Sequence, residues 1–214
     1  DFIKMIKENI KQIMEIIGPV NIVAVSKKKS VEKIKQAIKS GVNIIGENKI
    51  QEAYNKYNQL KNYFEENNIK FHFIGHLQSN KVKKAVEMFD LIQTVDSIKL
   101  TDEINKRAKE IDKVQDILVQ VNIGKEPQKF GIIPENTLDF LGKIKQFKNI
   151  NVKGLMCIHP RGEDSKPYFK EMKKIFDMTN LEILSMGMSS DFQIAIDEGS
   201  NMIRIGTKIF GARN

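Results

Sequence analysis

Short apolar, β-branched runs alternate with amphipathic helical stretches from one end of this chain to the other, and that alternation restricts its possible folds more than any other feature. A strand buried on both faces reads as a continuous apolar run, whereas a helix laid over it reads with a 3.6-residue period. Repeated in turn, the two build βα units around a parallel sheet. The runs predict strands over Asn21–Ser26, Asn43–Glu47, Phe71–Gly75, Leu91–Val95, Asp116–Asn122, Val152–Ile158, Glu182–Met186 and Met202–Gly206. A leading helix over Phe2–Ile17 closes at Gly18-Pro19, and further helices are predicted over Val31–Lys39, Ile50–Glu66, Lys81–Met88, Ile98–Glu110, Pro134–Phe147, Ser165–Thr179 and Asp191–Glu198. Ser30, Asn48 or Lys49, Ser79 or Asn80, Ser97, and Ser189 or Ser190 stand where N-caps belong, and Pro134 suits a first turn. Eight strands about 25 residues apart suit a single-domain α/β fold, the (β/α)8 TIM barrel, at the compact end of its range. An open doubly wound sheet is the alternative, but no Gly-x-Gly-x-x-Gly follows the first strand. No linker or composition shift divides residues 1–214, so one barrel domain behind a leading helix is expected.

Hydrophobic residues make up 41% of the chain and charged ones 29%, the balance of a soluble globular protein. No apolar run approaches the roughly 18 residues of a membrane span, and Asp1-Phe2-Ile3-Lys4-Met5 lacks a signal-peptide core, so a cytoplasmic location is expected. The lone Cys157 has no disulfide partner within the chain and sits inside Gly154-Leu155-Met156-Cys157-Ile158, which makes it a small core residue rather than a nucleophile. The net charge of +8 comes from lysine, since only Arg107, Arg161, Arg204 and Arg213 are arginines, and no aromatic residues are interleaved as stacking platforms. That pattern describes a solvated lysine surface rather than a nucleic-acid groove, although its field still favours a small anionic ligand.

The polar residues at the strand ends are Lys27, Asn48, His76, Thr94 with Asp96, Asn122, His159, Ser189, and Arg204 with Thr207. In a barrel all converge on one mouth, where such folds keep their sites. Lys27 ends an apolar strand, and a stem lying against apolar walls disfavours the ammonium, the condition under which a lysine attacks an aldehyde. Lys28 and Lys29 follow at once, and a lysine run is ordinarily a solvated loop, so the residues alone leave both readings open. Arg204 shares its parity with Met202 and Gly206, and an arginine in an apolar strand is costly to bury unless a partner or ligand meets it. Gly206-Thr207, with Gly187-Met188-Ser189 before a short helix, offers backbone amides and hydroxyls to a phosphate; capping by Ser189 or Ser190 is compatible with that role. His72, His76 and His159 lack an accompanying carboxylate or cysteine set, so no metal site is expected, and Asp191 and Asp197 read as helix-surface or capping residues. The loops 124–134 and 160–167 follow strands and read as rim loops or plain connectors.

These motifs resemble the pyridoxal phosphate homeostasis family, relatives of the alanine racemase N-terminal barrel domain. Ala24-Val25-Ser26-Lys27 is similar to that family's cofactor-lysine strand, Ile45-Gly46-Glu47-Asn48 with Gln51-Glu52 to its second strand end, and Phe73-Ile74-Gly75-His76-Leu77-Gln78-Ser79-Asn80-Lys81 to its third. Gln120-Val121-Asn122-Ile123, Gly154-Leu155-Met156, Leu184 to Ser189 and Arg204 to Arg213 carry the likeness to the end of the chain. The resemblance implies pyridoxal 5'-phosphate (PLP) bound covalently to Lys27 as a Schiff base, with Asn48 near the cofactor ring, Arg204 facing the pyridine nitrogen, and Met188, Ser189, Gly206 and Thr207 around the phosphate. Ser190 departs from the family, which often has an acidic residue there.

An arginine cannot give its proton to the ring nitrogen, so the ring implied here is a poor electron sink. Asn214 lies eight residues beyond the last predicted strand, leaving no second domain to supply the second base of a racemase, and Tyr54, Tyr57, Tyr63 and Tyr168 lie on helices. No catalytic residue is therefore expected. The implied function is a PLP carrier or buffer in vitamin B6 and amino-acid homeostasis, a monomer with PLP-dependent apoenzymes as candidate acceptors; the alternative is a small PLP-dependent amino-acid racemase.

Overall fold

In the computed structural model, which describes residues 1–212, eight parallel strands close into a barrel in the order in which they occur in the chain. They are β1 (Asn21–Val25), β2 (Ile44–Glu47), β3 (Lys70–Phe73), β4 (Leu91–Val95), β5 (Gln115–Val121), β6 (Ile150–Cys157), β7 (Ile183–Ser185) and β8 (Met202–Ile205), with β8 pairing back onto β1 through Val23 and Arg204. The open doubly wound alternative is thereby excluded. Helices α1 (Phe2–Ile17), α2 (Val31–Lys39), α3 (Ile50–Glu66), α4 (Val82–Met88), α5 (Ile98–Glu110), α6 (Thr137–Ile144), α7 (Ser165–Asp177), α8 (Phe192–Asp197) and α9 (Thr207–Phe210) surround it.

The outer layer follows from amphipathic spacing. In α1 the buried residues are Ile6, Ile10, Ile13 and Ile17, one apolar stripe, and the Asp1 side chain caps the helix by accepting from the Ile3 amide at 3.0 Å. Two predicted helices begin differently from the sequence expectation: Ser79–Lys81 and Pro134–Asn136 are 3-10 turns that lead into α4 and α6, a common way to tighten a helix start. Lys49, Lys81 and Asp191 take the N-cap positions for which Asn48, Ser79 or Asn80, and Ser189 or Ser190 were alternatives. The four-residue α9 is absent from the sequence expectation because one turn is too short to show a period. Arg213 lies outside the described residues.

Inside the barrel the strand period of two separates faces. Val23, Ile44 and Met202 form one apolar cluster, Leu91, Leu118 and Met156 another, and partly buried Ile183 touches both. One pleat step nearer the C-terminal mouth, Arg204, Ser185 and Gln93 point the same way, and His72 joins them. Arg204 Nη1 donates to Ser185 Oγ (2.6 Å), Ser185 Oγ donates to Gln93 Oε1 (2.7 Å), and Gln93 Nε2 stands 3.0 Å from His72 Nδ1, making His72 the acceptor and assigning its proton to Nε2. Burial holds the His72 pKa down at about 3, with Lys70 adding to the effect.

Because the unfolded chain takes up a proton near pH 6.5 that folded His72 refuses until about pH 3, stability falls as the pH drops through that window. Denaturant titration of wild type and His72→Asn, which keeps an acceptor for Gln93, is expected to show about 2 kcal/mol more loss in the wild type between pH 6.5 and 5. Equal losses would show that His72 is not the group responsible.

Candidate functional site

The strand ends surround a cavity of about 710 Å3 whose wall includes Asn48, Ile74, His76, Gln120, Asn122, Phe130, His159, Arg161 and Met188. Its rim is built from the β5 loop: Asn122 binds the Glu126 backbone at both ends of its amide, Asp96 accepts from the Gly131 amide at 3.0 Å, and Phe130 stacks on His76 with ring centroids 3.6 Å apart. This loop is therefore an ordered rim rather than a plain connector. Of the seven residues implied for the cofactor, Asn48 and Met188 line this cavity. The other five lie on the β7–β8–β1 side of the mouth.

Lys27 follows β1, whose sheet neighbours are β2 and β8, so it stands between the end that carries Asn48 and the end that carries Gly206. It continues the inward parity of Val23 and Val25, is half-buried, and makes no side-chain hydrogen bond or ion pair with any described residue. The backbone turns immediately after it. Lys29 N donates to Ser26 O (2.9 Å) and Lys28 has φ +57°, placing Lys27 and Lys28 at the centre of a turn of the kind that favours glycine at its second central position. A left-handed non-glycine residue costs about 1–2 kcal/mol, so the surroundings must hold it. Glu52 Oε1 does so by accepting from the Lys28 amide at 2.5 Å. Lys56 Nζ donates to Glu52 Oε1 (2.8 Å), to Glu47 Oε1 (2.5 Å) and to the Ser26 carbonyl (2.6 Å), while Ser26 Oγ donates to Glu47 Oε1 (2.6 Å).

Glu47 is fully buried, and desolvation raises its pKa against the opposing pull of Lys56 and Ser26; its Oε2 has no hydrogen-bond partner. Partial burial also works against the Glu52 carboxylate, but hydrogen bonds from Lys56 and the Lys28 amide outweigh it and lower the pKa. Beside this cluster, Gly75 packs where a side chain cannot fit: a Cβ there would lie 2.1 Å from the Asn48 carbonyl oxygen. That close approach fixes the Asn48 backbone at the rim. Its side-chain Oδ1 is buried without a partner.

Arg204 is 4% exposed. Besides Ser185 it donates through Nη2 to the Cys157 carbonyl (2.9 Å), and no carboxylate of a described residue lies within ion-pair distance. Burial lowers its pKa, with the Cys157 thiol and Asp191 acting the other way. A buried guanidinium held only by neutral acceptors is the costly arrangement expected from the sequence. Cys157 is fully buried and its thiol is pushed up to about 12, which suits a core residue and not a nucleophile.

Ser189, Gly206 and Thr207 form a cup beside Arg204. Gly187 enters it at φ +101°, where a Cβ would also press to 2.6 Å from Ala195 Cβ, and its carbonyl accepts from the Arg204 amide at 2.9 Å. Ser189 Oγ lies 3.4 Å from the amides of both Gly206 and Lys208. The amides of Ser189, Ser190 and Thr207 make no hydrogen bond to a described residue, so they are available to an anion. The Met188 amide donates to Asp191 Oδ1 at 2.6 Å and is therefore already satisfied within the protein. Asp191 is thus more than a surface cap: it is buried, ties down the cup, and has His159 Nδ1 2.9 Å from its Oδ2. The three histidines lie apart: His72 in the barrel interior, His76 under Phe130, and His159 against Asp191.

Sequence reasoning missed the Glu47–Glu52–Lys56 cluster, although a signal was present. Lys56 falls on the buried stripe of α3 (Ile50, Ala53, Leu60 and Phe64), and a lysine in a core stripe needs a carboxylate. Gln120, read only as part of a motif and given no role, lies 9% exposed on the cavity wall with an unpaired side-chain amide.

Comparison with known proteins agrees with this fold. Residues 3–214 match the family model of the alanine racemase N-terminal domain. A pyridoxal phosphate homeostasis protein of Aquifex aeolicus is 41% identical over 85% of this chain and 82% of its own, and one from Pasteurella multocida is 38% identical over 98% of each. The structure of PipY from Synechococcus elongatus with PLP bound superposes with a TM-score of 0.88 at 32% identity, covering 96% of this chain and all of PipY. On the closed barrel, the strand-end lysine and these matches, the chain belongs to the pyridoxal phosphate homeostasis proteins, a family with the alanine racemase N-terminal barrel.

Proposed function

We propose that this protein binds PLP, holds it through Lys27 as a reversible Schiff base, and carries or buffers it in vitamin B6 and amino-acid homeostasis. The observation that carries the reading is the unpaired, half-buried Lys27 amine standing at the strand end between Asn48, whose buried Oδ1 lacks a partner, and the free amides of the Ser189–Thr207 cup. The relatives named above support it, since one of them holds PLP. Each donor set suits one part of the cofactor: Lys27 the aldehyde, Asn48 a ring substituent, Arg204 the pyridine nitrogen, and Ser189, Gly206 and Thr207 with the Met188 segment the phosphate. Bound there, PLP would supply an aldehyde that an amine captures with loss of one water and releases by hydrolysis.

Arg204 is what separates holding from turnover. Its guanidinium keeps its own proton and is anchored by Ser185 and the Cys157 carbonyl, so it offers a donor to a ring nitrogen and no proton. A PLP enzyme that draws charge into the ring wants the opposite arrangement. We further propose that residues 1–214 act as one cytoplasmic, monomeric barrel domain with its leading helix, passing PLP to dependent apoenzymes.

Three measurements test the reading. After borohydride reduction, mass spectrometry of the PLP-loaded protein should place the pyridoxyl group on Lys27, and Lys27→Ala should carry none; an unchanged adduct elsewhere removes Lys27 from the site. Ser189→Ala and Thr207→Val should each weaken PLP affinity about tenfold or more by removing a donor to a charged acceptor, and leave unphosphorylated pyridoxal unaffected; equal losses for both ligands would remove the cup from the phosphate. Incubation of loaded protein with alanine in deuterated water should show no α-proton exchange at enzymatic rates, and rapid exchange or enantiomer conversion would instead establish the racemase reading.

A further inference from the structure

We propose that Glu52 and Lys56 are positioning residues for Lys27: from outside the barrel wall they clamp the Ser26–Lys29 turn with its central peptide held one way over, and so restrict the rotamers of the Lys27 side chain at the mouth. The inference rests on reading Lys27 as the lysine that captures the aldehyde. The two common turns that place a residue at this position differ by a flip of the central peptide, here that between Lys27 and Lys28, and the flipped form requires a positive φ at the second central residue. Lys28 has that positive φ although it carries a side chain that disfavours it. What holds the flip is the direction of the Lys28 amide, which points to Glu52 Oε1 at 2.5 Å. Glu52 is in turn fixed one helical turn along α3 by Lys56 Nζ at 2.8 Å. The same ammonium takes the Ser26 carbonyl at 2.6 Å, which also accepts the turn-closing Lys29 amide.

The clamp thus grips the backbone on both sides of Lys27 and leaves its amine untouched. Glu47, fully buried between Lys56 and Ser26 Oγ, locks the ammonium in place. Removing the Glu52 carboxylate leaves Lys28 free to return to a negative φ, which turns the central peptide over, swings the Lys27 carbonyl to the opposite side and so changes which rotamers are open to the Lys27 side chain. Glycine at residue 28 makes the same turn comfortable without help, because it adopts positive φ at no steric cost. A pure packing role for Glu52 predicts no such rescue.

The experiment uses wild type, Glu52→Ala and the double variant Glu52→Ala/Lys28→Gly. Lys28 is exposed, so the glycine removes no packing, and the Glu52 side chain is 25% exposed, so both proteins should fold, as thermal melts will check. In the PLP-free proteins, Glu52→Ala should speed hydrogen exchange at the Lys28 amide about tenfold or more and change the rate at which trace acetic anhydride acylates Lys27. With PLP added, it should slow formation of the reducible Lys27 adduct about tenfold. The glycine should restore both Lys27 rates to within about threefold of wild type while the Lys28 amide stays fast-exchanging. Wild-type Lys27 rates in Glu52→Ala, or failure of the glycine to restore them, overturns the clamp. Should wild type itself form no adduct with PLP, the carrier reading falls, and the acylation rates alone still decide the clamp. If Glu52→Ala does not fold, Lys56→Met with and without Lys28→Gly gives the same comparison.

Discussion

The barrel interior is organised by a single buried positive charge that has no carboxylate within ion-pair distance among the described residues. Arg204 sits on β8 where its neighbours along the strand are apolar, and removing a guanidinium from water without a counter-ion is expensive unless its N–H groups meet acceptors. The protein supplies neutral ones, the Ser185 hydroxyl and the Cys157 carbonyl. Ser185 can accept from Arg204 because its own proton goes to Gln93, and Gln93 can take it because its amide faces an unprotonated His72 nitrogen. Each partner's donor and acceptor are therefore set by the arginine at the head of the chain, and His72 must stay neutral for the order to hold.

A second buried charge is handled in the opposite way. Lys56, on the helix side of the wall, has two carboxylates and a carbonyl around its ammonium. The contrast follows from position. An ion pair outside the sheet can be closed by residues one helical turn apart, Glu52 and Lys56, together with the outward-facing Glu47 of β2. A carboxylate inside the barrel beside Arg204 would neutralise the charge that faces the mouth. Keeping the counter-ion away leaves the positive charge facing the mouth, at a desolvation cost, with the apolar clusters one pleat step deeper in the barrel.

Much of this was legible in the sequence because it depends on period. The helices Phe2–Ile17, Val31–Lys39, Ile50–Glu66 and Ile98–Glu110 and the strand Leu91–Val95 carry strong periods, and their bounds agree with those read from the residues. The inward direction of Arg204 follows from parity with Met202, which requires no tertiary information. What escaped depends on pairs distant in the chain or on single torsions. The Lys28 turn needs Glu52, twenty-four residues away, to explain a positive φ that composition does not suggest. Asp191 looked like one more polar residue before a helix, and only the fold brings His159 against it. Of the candidate set, the structure places Lys27, Asn48, Met188, Ser189, Arg204, Gly206 and Thr207 around one mouth, with the Met188 amide already bound to Asp191.

These charges also act over different ranges. The lysine excess behind the net +8 lies mostly on the surface, where salt screens it within about 10 Å, so it raises the encounter rate of a dianion without choosing among dianions. Arg204 and the bare amides of the cup act in a partly dry environment, where they are screened far less and have fixed directions. On the proposed reading, attraction and recognition would thus be carried by different residues. Neutralising surface lysines slows arrival and leaves the bound geometry unchanged, whereas a change at Ser185 or Gln93, neither of which faces the cavity wall, alters the direction of the one buried charge that the mouth presents.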